Sequence, residues 1–189
     1  MALTRPLTLD EFLLQPEEQP ALEYERGVMT QKMSPMARHG KLQMTLGMPL
    51  ESHGQPEQIL SAFSETRVTW PVEGISYVPD IIASLVERVP YDADGQLPNR
   101  LLTPPDVAVE IPSPGQSLGD QMDRCRWYVA HGVRVSLLAH PDREAIWVFR
   151  PDAEVGPLVG DAVVDLAPEI PGFSFVVGEL FAVLQRRPN

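Results

Sequence analysis

Two acidic residues stand where an acid is expensive. Asp80 lies in Tyr77, Val78, Pro79, Asp80, Ile81, Ile82, and Glu110 lies in Val107, Ala108, Val109, Glu110, Ile111. Each interrupts strand-like apolar text, where burying an unpaired carboxylate costs roughly several kcal/mol. One such residue is ordinarily met by an arginine or a backbone donor, or it stands on a solvated strand face. Two of them, each close to a proline and each at a strand end or bend, suit another arrangement. Carboxylates converging from adjacent strands make a hard oxygen site for Mg²⁺ or Mn²⁺.

Other groups with chemical potential are scattered. His39, near the start of a helix, could orient a phosphate or a water if it faces a carboxylate site, and a core-edge role fits it equally. His53, His131 and His140 fall at loop or helix-end positions, a dispersal that argues against zinc. Cys125 shares the apolar side of a helix with Met122 and Val129, which suits packing better than nucleophilic work. Arg124, Arg126 and Trp127 form a basic and aromatic group that could meet a nucleic-acid backbone or pair with neighbouring acids. Lys32 and Lys41 are the only lysines, so they are the only side-chain amines that could deprotonate.

The 189 residues, 43% of them hydrophobic and 22% charged, suit one soluble domain with a sizeable core. A lone cysteine forms no internal disulfide. No signal peptide opens the chain and no apolar run approaches the roughly 20 residues that span a bilayer. A cytoplasmic protein is expected. The net charge of −11 repels nucleic acid at long range unless the basic residues gather on one face. The same excess of carboxylates can be offset by holding a cation.

The elements that must position these groups follow from pattern. Thr8 and Glu11 form a capping box for a short helix limited by Pro16. Residues 22–33, centred on Gly27, read as a hairpin. Ser34 and Pro35 open a helix toward Gly54 with Leu42, Leu46 and Leu50 on one face, and Pro49 should kink or shorten it. Residues 59–70 and 75–85 read as a second hairpin, and residues 89–105 as an exposed loop. Residues 106–111 form a short central strand. Ser117 caps a helix that ends at Gly132, and strands follow at 133–139 and 145–150. Weaker strands at 162–166 and 173–177 precede a closing helix over 178–187. The strand, helix, strand run from 106 to 139 is long enough for a parallel crossover. An α/β fold with a mixed sheet flanked by helices is expected.

Several segments together resemble a known family. Val78, Pro79, Asp80, Ile81, then residues 105–114 (PDVAVEIPSP), then Asp120, Tyr128, Gly132 and Val133, resemble the Uma-type restriction endonuclease family of the PD-(D/E)XK superfamily. Leu22, Glu23, Tyr24, the Met33, Ser34, Pro35 run and His39 resemble its N-terminal region, so the likeness covers roughly residues 8 to 182. The resemblance implies a restriction-endonuclease-like fold in which Asp80 and Glu110 hold Mg²⁺ or Mn²⁺. It further implies that the Ile111 carbonyl adds a ligand and that Glu23 completes the shell. It implies hydrolysis of a nucleic-acid backbone, DNA by preference, and a homodimer would let two sites act on two strands.

One departure matters. The superfamily lysine usually lies two residues after the glutamate, where this chain has Pro112. In the Uma-type group a helix lysine eight residues before the Gly-Val pair takes its place, and here that position is Arg124. Arginine keeps a positive charge near the scissile phosphate but cannot act as a general base. Two expectations follow: a metal-dependent endonuclease using Asp80, Glu110, Glu23 and Arg124, with His39 and Arg126 toward nucleic acid; or a catalytically silent relative that keeps the fold for binding protein or nucleic acid.

Overall fold

The structure is a computed structural model that describes residues 5–53 and 60–186. In chain order its elements begin with α1 (Leu9–Leu13), β1 (Leu22–Glu25), β2 (Val28–Gln31), α2 (Ala37–His53), β3 (Leu60–Ser64) and β4 (Val68–Trp70). There follow β5 (Ile75–Tyr77), β6 (Ile81–Leu85), β7 (Val107–Glu110), α3 (Leu118–Ala130) and β8 (Val135–His140). The chain continues through β9 (Ala145–Arg150), β10 (Ala153–Val159), β11 (Val163–Asp165), β12 (Ser174–Val176) and α4 (Val177–Ala182). Contacts group these into two compact units. One comprises Met1–Ser34, Arg67–Val78 and Pro90–Pro104; the other comprises Pro35–Thr66, Pro79–Val89 and Pro105–Asn189.

In the first unit, an antiparallel sheet runs in the order β2-β1-β5-β4. Helix α1 opens with the expected capping box: Glu11 N donates to Thr8 Oγ1, and Thr8 N donates to Glu11 Oε2. The Arg5 guanidinium, helped by the Thr8 donors, pulls the Glu11 carboxyl down to about 2. The β1–β2 turn requires positive φ at both central residues, Arg26 (46°) and Gly27 (96°). A Cβ at Gly27 would lie 2.8 Å from Pro6 Cβ, so glycine is needed there for space as well as for φ.

In the second unit, a six-stranded sheet runs β10-β9-β8-β7-β6-β3. It is mixed: β7 and β8 are parallel, joined by the α3 crossover, while the other neighbours are antiparallel. Ser117 caps α3 by accepting from Asp120 N, and Gly132 (φ 97°) follows its end, as the sequence requires. Every residue of β7 is buried, because both faces of a central strand are covered. One face packs in a core that includes Leu42, Leu46 and Leu50 of α2, each contributing about 1.5–3 kcal/mol through burial.

Four differences from the sequence reading have physical causes. Helix α2 begins at Ala37, two residues past Pro35, and continues through Pro49 to His53. Pro49 is exposed, so its ring meets solvent, while Leu46 and Leu50 on either side stay anchored in the core. The hairpin of residues 59–70 and 75–85 pairs as expected but each arm is broken. β3 pairs with β6, and β4 with β5, in two different sheets, under one continuing register. The breaks fall at Glu65 to Arg67 and Val78 to Asp80, where polar residues and Pro79 interrupt the apolar alternation. Residue 59 lies outside the described residues. Strand β10, hidden in the sequence by Gly156 and Pro157, is an exposed edge strand with a register shift at that pair. Helix α4 closes at Ala182, and residue 187 lies outside the described residues.

Candidate metal centre

The site is built at the C-terminal end of β7. The β6–β7 register pairs Ile81 with Val109, so its next step sets Asp80 opposite Glu110. The backbone ladder ends there: Asp80 N donates to Val109 O at 3.1 Å, and the Asp80 side chain takes over. Its Oδ2 accepts from Ile111 N at 2.6 Å, in place of a backbone carbonyl. The carboxylate of Asp80, only 2% exposed, is thereby fixed on the N–H that follows Glu110.

Glu110 is anchored from the crossover helix. Tyr128, fully buried on α3, donates its hydroxyl to Glu110 Oε1 at 2.6 Å. Arg124 lies one helical turn before Tyr128 and so shares its face of α3. The neighbouring Cys125 thiol is held far above its ordinary pKa. Burial pushes it up first, Glu110 and Asp80 push it further, and hydrogen bonding to Ser136 and the Arg124 charge oppose them. Cys125 itself is buried and packs with Leu138, Trp147 and Phe149.

Helix α2 adds a nitrogen. His39, in its first turn and 6% exposed, places Nε2 3.4 Å from Asp80 Oδ1 and 4.0 Å from Glu65 Oε1. Ligand-capable atoms of His39, Glu65 and Asp80 all lie within 4.8 Å of one another. Both His39 distances fall between the spacings of adjacent and opposite ligand atoms around one octahedral ion, about 3 Å and about 4.3 Å. Glu65 is exposed at the bend after β3, leaving the cluster open to solvent on that side. Its φ of 49° is costly for a non-glycine residue and is held by the surrounding bonds. Glu65 N donates to Asp80 O at 3.2 Å, and Gln43 Nε2 reaches both Asp80 O (2.7 Å) and Glu65 Oε1 (3.3 Å).

The sequence reading did not single out Glu65 or Gln43. The strand expected over 59–70 ran through Glu65, although Ser64, Glu65, Thr66 and Arg67 form a polar break at which a turn was readable. Gln43 gave no signal, since an amide that braces a site looks like any helix-surface glutamine.

The other expected residues have the following partners. Glu23 belongs to the first unit, where its Oε1 accepts from Val78 N at 2.9 Å. Lys32, also in that unit, donates to Val78 O at 2.7 Å. Arg126 is exposed on α3 and paired with Asp123 (2.6 Å) and Glu154 (2.9 Å), lying over the Phe149 ring. Among the remaining histidines, His53 bonds Pro171 O and His131 stacks on Trp127. Burial and the Arg143 charge lower the His140 pKa.

Comparison with known proteins agrees with this architecture. No curated protein matches the chain significantly. Among solved structures, a protein described as "a putative nuclease belonging to DUF820 from Anabaena variabilis ATCC 29413" is 33% identical and superposes with a TM-score of 0.88. The match covers 95% of this chain and 100% of that one. The profile of the Uma2 family, described as "Putative restriction endonuclease", matches residues 9–180. The chain therefore belongs to the Uma2 family of restriction-endonuclease-like proteins.

Proposed function

We propose that the protein is a divalent-metal-dependent endonuclease that hydrolyses nucleic-acid phosphodiester bonds at the C-terminal end of β7. The observation that carries this reading is the fixing of the Asp80 carboxylate on Ile111 N, next to a Glu110 anchored by Tyr128. In this reading the two carboxylates and the Ile111 carbonyl would supply the oxygen donors for Mg²⁺ or Mn²⁺. Bound there, the ion supplies Lewis-acid stabilisation of phosphodiester charge and lowers the pKa of the attacking water.

The chain's own residues do the rest. Ile111 N and Tyr128 hold the two carboxylates so that little reorganisation is needed when charge develops. Arg124 offers its guanidinium to the phosphate but retains its protons throughout, because a guanidinium does not deprotonate in a protein. No amine base is therefore assigned at that position, and slow turnover is expected. The reading extends to residues 1–189 as one nuclease-type domain, to DNA as the substrate, to a homodimer and to a cytoplasmic location. Among the described residues no helix is long and apolar enough to cross a membrane.

Arg124 in place of the lysine also favours a second reading, a silent relative that binds nucleic acid or protein without cutting. Plasmid nicking with Mg²⁺ or Mn²⁺ separates the two. Cleavage that is metal-dependent and lost in both Asp80→Ala and Glu110→Ala supports the nuclease. Cleavage unchanged by either substitution removes it, and absence of cleavage with retained DNA binding supports the silent relative.

A further inference from the structure

We propose that His39 and Glu65 extend the Asp80 site into a mixed nitrogen and oxygen cation site that selects a first-row transition-metal divalent ion over Mg²⁺. Mn²⁺ is the probe of that class. The inference rests on the metal-dependent reading above and deepens it by naming the ion class and the residues that choose it.

The geometry carries the step. Nε2 of His39 stands 3.4 Å from an Asp80 oxygen and 4.0 Å from a Glu65 oxygen, spacings between those of adjacent and opposite positions around one ion. The imidazole is held rather than loose. His39 is 6% exposed, and α2 is fixed by Leu42 and Leu46, one and two turns on, each no more than 2% exposed. From the next turn Gln43 braces the other two members through Glu65 Oε1 and Asp80 O. One helix thus delivers a nitrogen donor and the clamp for two oxygen donors.

Donor chemistry then decides the ion. Mg²⁺ is hard, keeps several waters and is held by oxygen; an imidazole nitrogen adds little to its binding. The first-row ions gain more from an imidazole nitrogen than Mg²⁺ does, Mn²⁺ least among them, so a site with one nitrogen beside its carboxylates shifts the balance toward them. Carboxylates alone would not discriminate in this way. Exchanging the nitrogen for oxygen should therefore move the preference without abolishing binding.

The experiment uses the full chain and reads binding rather than turnover. Pulsed electron paramagnetic resonance of bound Mn²⁺ is expected to show ¹⁴N coupling from an imidazole in the wild type and none in His39→Asp. Calorimetric titration is expected to show Mn²⁺ binding at least tenfold tighter than Mg²⁺, with that ratio falling at least threefold in His39→Asp. Circular dichroism confirms that the variant is folded, and Glu65→Gln provides a second, exposed substitution that should weaken Mn²⁺ binding several-fold.

Bound Mn²⁺ without nitrogen coupling in the wild type, or an unchanged Mn²⁺ to Mg²⁺ ratio in His39→Asp, overturns the inference. If that Mn²⁺ is still lost in Asp80→Ala, the metal-dependent nuclease reading survives. No binding of either ion overturns both.

Discussion

Strand β7 meets a buried carboxylate at each end, and the two ends are answered by opposite chemistry. At the N-terminal end Asp106, fully buried, accepts from Leu85 N and is bracketed by the guanidiniums of Arg88 and Arg134. A charge so compensated is a structural fixture: it ties β6, β7 and the start of β8 together and offers no open coordination. At the C-terminal end Asp80 meets an imidazole and a second carboxylate, with Glu110 on the adjoining residue of β7. Carboxylates gathered in this way repel one another, and a divalent ion relieves that repulsion. Burial alone therefore does not mark a functional acid; the company it keeps does.

The largest effect expected from this contrast is at Asp80. Asp80→Asn keeps the acceptor for Ile111 N but removes the charge, so cleavage should fall by about a thousandfold or more. Metal-free stability should change by only about 1 kcal/mol, as for a substitution that preserves shape and hydrogen bonding. Chemical denaturation beside a nicking assay measures both. A large loss of stability would make Asp80 a second Asp106.

Asp106→Asn should show the converse. Removing one partner of a buried ion pair costs roughly 3–5 kcal/mol, and the lower figure applies because Arg88 and Arg134 are partly exposed. Turnover per folded molecule should stay within about threefold of wild type. Cys125 supplies a second readout, since its buried, strongly disfavoured thiolate reacts only when the chain opens. Thiol labelling in Asp106→Asn should accelerate by about a hundredfold, matching that stability loss, and in Asp80→Asn by far less.

Metal addition separates the two ends next. Mn²⁺ at about a hundred times its dissociation constant should stabilise the wild type by about 2.7 kcal/mol. For a chain of this size that is about 5–10 °C in Tm, reversed by chelator. The shift should persist in Asp106→Asn and vanish in Asp80→Asn. The smallest effect is expected from Arg124→Lys, where restoring an amine should raise cleavage by about tenfold; no gain would mean that the amine is not what limits the reaction.

Much of this was legible before any coordinates. The capping box at Thr8, the Gly27 hairpin, the Ser117 to Gly132 helix and the β7–α3–β8 crossover each rest on local chemistry that tertiary context reinforces. Asp80 and Glu110 were visible because acids inside apolar strands are rare and costly. Asp106, the buried acid just before β7, was not separable from them by pattern, since its arginines come from positions 88 and 134. Glu65 was hidden for a related reason: it reaches the site only because β3 ends one residue earlier and bends, and local text cannot show that its carboxylate meets a helix residue 26 positions upstream. Long-range meetings of polar side chains are what a single sequence encodes least directly.

Crystals of the wild-type protein soaked in Mn²⁺ and measured at the manganese absorption edge test the metal assignment most directly. The expected result is an anomalous peak at about 2.0–2.3 Å from a carboxylate oxygen of Asp80, absent from Asp80→Asn crystals treated in the same way. A saturating soak that leaves the Asp80 carboxylate without an ion, or that places Mn²⁺ only at other acidic groups, would contradict it.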